Sequence, residues 1–132
     1  MESLTPNFFV NDMQQTISFY RLLGFEIVQT VPPDVTDAPI WAMMTCGQVT
    51  VMFQTFDSLS NELPEISRQD GGSLLLYIKV RDIRVFFEQL KDKVTIVKDL
   101  ETTFYGATEF SILDNNNYLL TFAEEEVVTQ SS

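Results

Sequence analysis

The side chains able to carry chemistry in this 132-residue chain are carboxylates, phenols, amines and one thiol, because histidine is absent. Without an imidazole, no Ser-His-Asp or Cys-His nucleophile can be assembled. Cys46 stands beside Gly47-Gln48 with no flanking cation to lower its pKa, so a reactive thiolate is not expected. Gly71-Gly72 is an isolated pair and makes no phosphate-cradling loop. The remaining acid–base capacity rests on groups such as Glu109, Tyr77 and Lys79. A carboxylate such as Glu109, set in apolar surroundings, would also hold a cationic ligand through charge-assisted hydrogen bonds.

The overall charge points the same way. Eight basic residues against 19 acidic ones give a net charge of −11, which repels phosphate backbones, and no Lys/Arg cluster counters it. Nucleic acid is therefore not an expected partner. A preference for cations is compatible with this balance, although solubility alone accounts for it. The longest strongly apolar run, residues 74–78, is far short of the ~20 that span a bilayer, so no membrane partner is expected. The N-terminus lacks a basic segment followed by an apolar stretch, and a single cysteine permits no intramolecular disulfide. Both features fit a cytoplasmic protein. With 45% hydrophobic residues the chain can bury a core, and residues 1–132 are expected to form one domain.

An internal repeat defines the elements that position these groups. Val10-Asn11-Asp12-Met13 is echoed by Val80-Arg81-Asp82-Ile83 at an offset of 70, which also pairs Ile17 with Phe87 and Tyr20 with Leu90. Each copy reads as a strand, an Asp capping a helix with its carboxylate, and one apolar helix face: Met13, Ile17, Tyr20 in the first, Ile83, Phe87, Leu90 in the second. Strands are expected over 25–31, 40–45 and 49–55, then over 73–80, 94–98, 104–113 and 118–123, the last pair turning on Asp114-Asn115-Asn116-Asn117. Repeat one covers about 4–56 and repeat two about 73–124. Residues 57–72 form a polar linker with room for one short helical turn, and 125–132 form a fraying tail. The fold class is α+β: two βαβββ modules, eight mixed strands curling around a central cavity, and one helix per module on the outer face.

Two segments carry a family resemblance. Residues 4–28, with Val10 and Asp12, Phe19-Tyr20 and Leu23-Gly24-Phe25, resemble the opening module of the vicinal oxygen chelate superfamily, which contains glyoxalase I, extradiol dioxygenases and bleomycin-resistance proteins. Residues 104–124 are similar to its closing hairpin, with Asn115-Asn116-Asn117 where Pro-Asp-Gly is usual. The resemblance implies a divalent metal held by His, Glu or Gln from both modules. The corresponding positions here are Thr5, Leu75, Thr121 and Met52, with Val51 as the alternative to Met52. Threonine, leucine and methionine make no site for zinc, magnesium or manganese, so neither a metal nor another cofactor is expected.

If those positions face inward, strand alternation fixes their neighbours. Thr5, Asn7 and Phe9, then Leu75, Tyr77 and Lys79, then Leu119, Thr121 and Ala123 share the inner faces. Trp41, Met43 and Met52 join them, with Glu109 or Ser111 from the seventh strand, and Phe104-Tyr105 serves as a lid or a loop anchor. The expected ligand-binding set is Thr5, Asn7, Phe9, Trp41, Met43, Met52, Tyr77, Tyr105, Glu109 and Thr121, with no catalytic residue assigned. With the metal ligands missing, the expectation is a metal-free protein, and the resemblance then implies the bleomycin-resistance branch, sequestering a small cationic or aromatic compound and pairing as a homodimer. The competing reading is a metal-independent or degenerate lyase or isomerase using Glu109, Tyr77 or Lys79. A third is a structural module with a filled interior.

Overall fold

The computed structural model describes residues 1–125 of the chain. Contacts divide it into two compact units, Met1–Asp70 and Gly71–Ser132.

The first unit runs β1 (Asn7–Val10), α1 (Met13–Leu23), β2 (Glu26–Val31), β3 (Trp41–Cys46), β4 (Val49–Thr55) and α2 (Phe56–Leu59). Its sheet has the order β1-β4-β3-β2, with β1 parallel to β4 and the other pairs antiparallel. Helix α1 starts where the sequence places it, because the Asp12 carboxylate accepts the Gln15 amide at 3.0 Å. It stops at Gly24, whose φ of +108° is open to glycine but strained for other residues. Met13, Ile17 and Tyr20 are buried on the sheet side, and the Tyr20 ring lies 4.6 Å from that of Phe53. The short α2, capped by the Thr55 hydroxyl, is the single helical turn allowed at the head of the linker.

The second unit runs β5 (Leu75–Lys79), α3 (Ile83–Leu90), β6 (Thr95–Thr102), β7 (Ala107–Leu113) and β8 (Leu119–Glu125). Its order, β5-β8-β7-β6, repeats the permutation of the first unit, again with one parallel pair. The eight strands in two mixed sheets are thus the α+β, two-module arrangement expected from the repeat. Phe110, Ile112, Leu120 and Phe122 form the buried face under α3. The β7–β8 turn closes because one Asp114 carboxylate oxygen accepts the amides of Asn116 (2.8 Å) and Tyr118 (2.9 Å), while Asn117 takes φ +64°.

The second copy departs from the first in four ways. Asp82 does not cap α3 with its side chain; it lies at φ +52°, and Glu124 on β8 accepts the Asp82 and Ile83 amides instead, at 2.9 and 3.3 Å. Phe87 is half-buried rather than buried, because Phe86 shares the helix face and packs on Phe122 and Phe110. Strand β6 continues to Thr102, beyond the expected Lys98, since two register irregularities interrupt its alternation. Strand β7 starts at Ala107 rather than 104, because Thr103–Gly106 turns, with the Gly106 amide bonded to the Thr103 carbonyl at 3.2 Å. The expected fraying tail lies outside the described residues except for Glu125, which ends β8. No helix among the described residues is long and apolar enough to cross a membrane.

Candidate ligand-binding site

Alternation along each strand leaves one sheet face for the helix and turns the other away from it. In the first unit the second face is made of two rows set by register. Asn7 stands opposite Met52 and Met52 opposite Met43; Phe9 stands opposite Gln54 and Gln54 opposite Trp41. All six are half-buried. Val51 is buried on the helix side, so Met52 is the residue that shares the face with Asn7. The second unit repeats the rows with other chemistry: Tyr77, Thr121 and Ser111, then Lys79, Ala123 and Glu109. Trp41 and Glu109 therefore hold equivalent positions, as do Met43 and Ser111.

The second unit concentrates the polar groups. Glu109 is 5% exposed, and its Oε2 accepts the Tyr77 hydroxyl at 2.6 Å and the Tyr105 hydroxyl at 2.5 Å. These lengths are those of O–H donors on a carboxylate. Phe110, next along the strand, is fully buried on the opposite face, which is what turns Glu109 this way. Tyr105 arrives from the Thr103–Gly106 turn, beside a Phe104 that is fully exposed. The carboxylate raises both phenols above their usual pKa, because each hydrogen bond to Glu109 is lost if the phenol ionises, and Coulomb repulsion adds to it. Nearby, the Ser111 and Thr121 hydroxyls bond each other at 2.8 Å.

No Lys or Arg among the described residues makes an ion pair with Glu109, although Lys98, its pKa raised first by Glu101, lies near enough for the Glu109 carboxylate to help raise it. Lys98 pairs with Glu101 at 2.7 Å, and Lys79 pairs with Glu125 at 2.8 Å. Only Oε2 of Glu109 accepts a hydrogen bond from the described residues. The usual arrangement for a buried carboxylate includes a positive partner.

Thr5 precedes β1 and is half-buried, and Leu75 is exposed at the start of β5. Asn7, Phe9, Trp41, Met43 and Met52 share one face, as do Tyr77, Thr121 and Glu109, to which Tyr105 is tied from the turn. Sequence reasoning missed Gln54, whose amide joins Asn7 (3.1 Å) and Ser58 (3.0 Å). Its place two residues after Met52 was the available signal. Asn7 Oδ1 is buried with no partner. Ser111 and Glu109, posed as alternatives, both belong to the face.

A family model for the glyoxalase/bleomycin resistance protein/dioxygenase superfamily matches residues 4–122. The chain belongs to this superfamily. Solved structures similar to this superfamily member include a protein of unknown function from Agrobacterium tumefaciens str. C58, 24% identical over 96% of this chain and 95% of that one, with a TM-score of 0.76. The bleomycin resistance determinant encoded on transposon Tn5 is 22% identical over 96% and 100%, with a TM-score of 0.66. A bleomycin-binding protein complexed with bleomycin gives 22%, 96% and 100%, and 0.64. At these identities the likeness is one of fold. No curated protein sequence matches the chain.

The metal that this superfamily implies does not suit the residues present. Thr5, Leu75, Met52 and Thr121 offer two neutral hydroxyls, an alkyl group and a thioether, and the Thr121 hydroxyl already bonds Ser111. Among the described residues no three His, Cys, Asp or Glu side chains converge on one point.

Proposed function

We propose that this superfamily member is a small-molecule-binding protein that sequesters a cationic, aromatic compound, without a metal or other cofactor, as a cytoplasmic homodimer. The observation that carries this reading is Glu109. A carboxylate 5% exposed, steadied by two phenols and with no direct ion-pair partner among the described residues, is an anchor that a cationic ligand would complete. The tyrosine rings beside it add faces that attract cations. Taken by itself, the other face of the first unit, with Trp41, Met43, Met52 and Phe9 beside Asn7, is a separate half-buried surface whose apolar side chains suit an aromatic group. Thr5 and Thr121 contribute hydroxyls to the same two faces. Fold likeness to a bleomycin-binding protein supports binding as the activity.

The Tyr77–Glu109 contact also supports a second reading, a metal-independent lyase or isomerase with Glu109 as base. Two features weigh against it. Both phenols are pushed towards holding their protons, and Lys79 is engaged by Glu125. Native mass spectrometry of freshly purified protein tests the proposal, because it reads ligand and assembly together. A dimer carrying a small organic molecule is expected. A monomer with no adduct, after gentle purification, would count against both parts.

A further inference from the structure

Resting on the reading that Glu109 receives a cation, we infer that the site selects a protonated amine over a guanidinium or a quaternary ammonium group, because one carboxylate oxygen is already filled. A carboxylate presents about four lone-pair positions, two on each oxygen. Oε2 of Glu109 spends its two on Tyr77 and Tyr105. A guanidinium gains its advantage over an ammonium by a fork of two parallel N–H bonds, one to each carboxylate oxygen. Here that fork would have to displace a phenol from a short charge-assisted bond.

Oε1 accepts no hydrogen bond from any described residue, so it is the open oxygen of this carboxylate. An ammonium is a compact point charge whose N–H groups rotate freely, and one of them satisfies Oε1 without disturbing Oε2. A quaternary ammonium keeps the charge attraction but has no N–H, so it strips water from Oε1 without returning a hydrogen bond. The phenols are durable donors: the carboxylate itself raises the pKa of both, so Oε2 stays filled at ordinary pH. The donor count around one carboxylate thus sets the ligand class.

Three probes with a common ring test this: benzylammonium, benzylguanidinium and benzyltrimethylammonium, titrated into the full chain and followed by NMR shifts. The wild type should bind benzylammonium about tenfold more tightly than either of the others. Tyr105→Phe returns one lone pair to Oε2, so benzylguanidinium should gain by about tenfold while benzylammonium changes little. Tyr77→Phe provides the same test from the other strand. Equal or tighter guanidinium binding in the wild type, or a ratio unmoved by both phenylalanine variants, would overturn the inference. In that case, weakening of all three cations by Glu109→Gln would leave the cation-anchor reading standing. If Glu109→Gln binds all three as the wild type does, the anchor reading fails and the selectivity with it.

Discussion

The N-terminus of α3 is held by a residue far away in sequence, and this can be measured. Glu124 accepts the Asp82 amide at 2.9 Å and the Ile83 amide at 3.3 Å, so Glu124→Ala leaves two donors without a protein partner. Losing a helix cap costs ~1 kcal/mol, and losing a negative charge at the positive helix end adds about 0.3–1 kcal/mol. The second bond is long, so we expect about 1.5 kcal/mol in total. For a chain of this size that is a fall of roughly 6 °C in Tm. Asp82 should behave in the opposite way. Its side chain makes no capping bond and its φ is +52°, so Asp82→Gly removes left-handed strain worth about 1 kcal/mol, partly offset by glycine's extra unfolded-state entropy. In the first unit, Asp12→Ala should cost ~1 kcal/mol, because that carboxylate does cap its helix. Urea denaturation followed by circular dichroism, with m-values compared, is the assay. An unchanged midpoint for Glu124→Ala, or a loss above about 0.5 kcal/mol for Asp82→Gly, would refute the assignment.

Other outcomes follow from the core and the phenols. Phe110→Ala should cost about 3–5 kcal/mol, since the ring is fully buried among Phe86, Phe87 and Phe122; a loss below about 1 kcal/mol would contradict that packing. Alkaline titration at 295 nm should show Tyr77 and Tyr105 ionising above the ordinary phenol value of 10.0, and Glu109→Gln should bring that phase down in pH. Because the folded pKa is raised, this contribution to stability is complete below the unfolded value and is lost as pH climbs through the folded one. Superimposable titrations would show that Glu109 does not hold the phenols. Elemental analysis after dialysis should find no stoichiometric divalent metal; one zinc, nickel or manganese per chain would overturn the donor-set argument.

The parts legible in the sequence are those fixed by neighbours along the chain. The Asp12 cap, the Gly24 stop and the Asp114–Asn117 turn depend on side chains within a few residues of the backbone they serve. Alternation then placed Glu109 opposite Phe110, and Tyr77 and Thr121 on one face. Long-range substitution was not legible. Glu124 replaces Asp82 as a cap only because β8 ends beside α3, a relation with no local signature. The convergence of Tyr77 and Tyr105 on a single oxygen depends on where the Thr103–Gly106 turn bends, in a segment whose sequence pattern predicts strand. Strand β6 looked short because its irregular register breaks the period that marks a strand.

If a ligand's positive charge is anchored by the buried carboxylate of Glu109, Glu109→Gln isolates that term by keeping shape while removing charge. The measurement is calorimetric titration of benzylammonium into both proteins at low and at high salt. Truncating one member of a buried charged pair costs about 2–5 kcal/mol, whereas a rim charge acts mainly on the association rate and is screened by salt. A loss of at least about tenfold in affinity that salt hardly alters is expected. Equal affinity in the two proteins, or a difference that vanishes at high salt, would contradict it and leave the net charge of −11 as a matter of solubility.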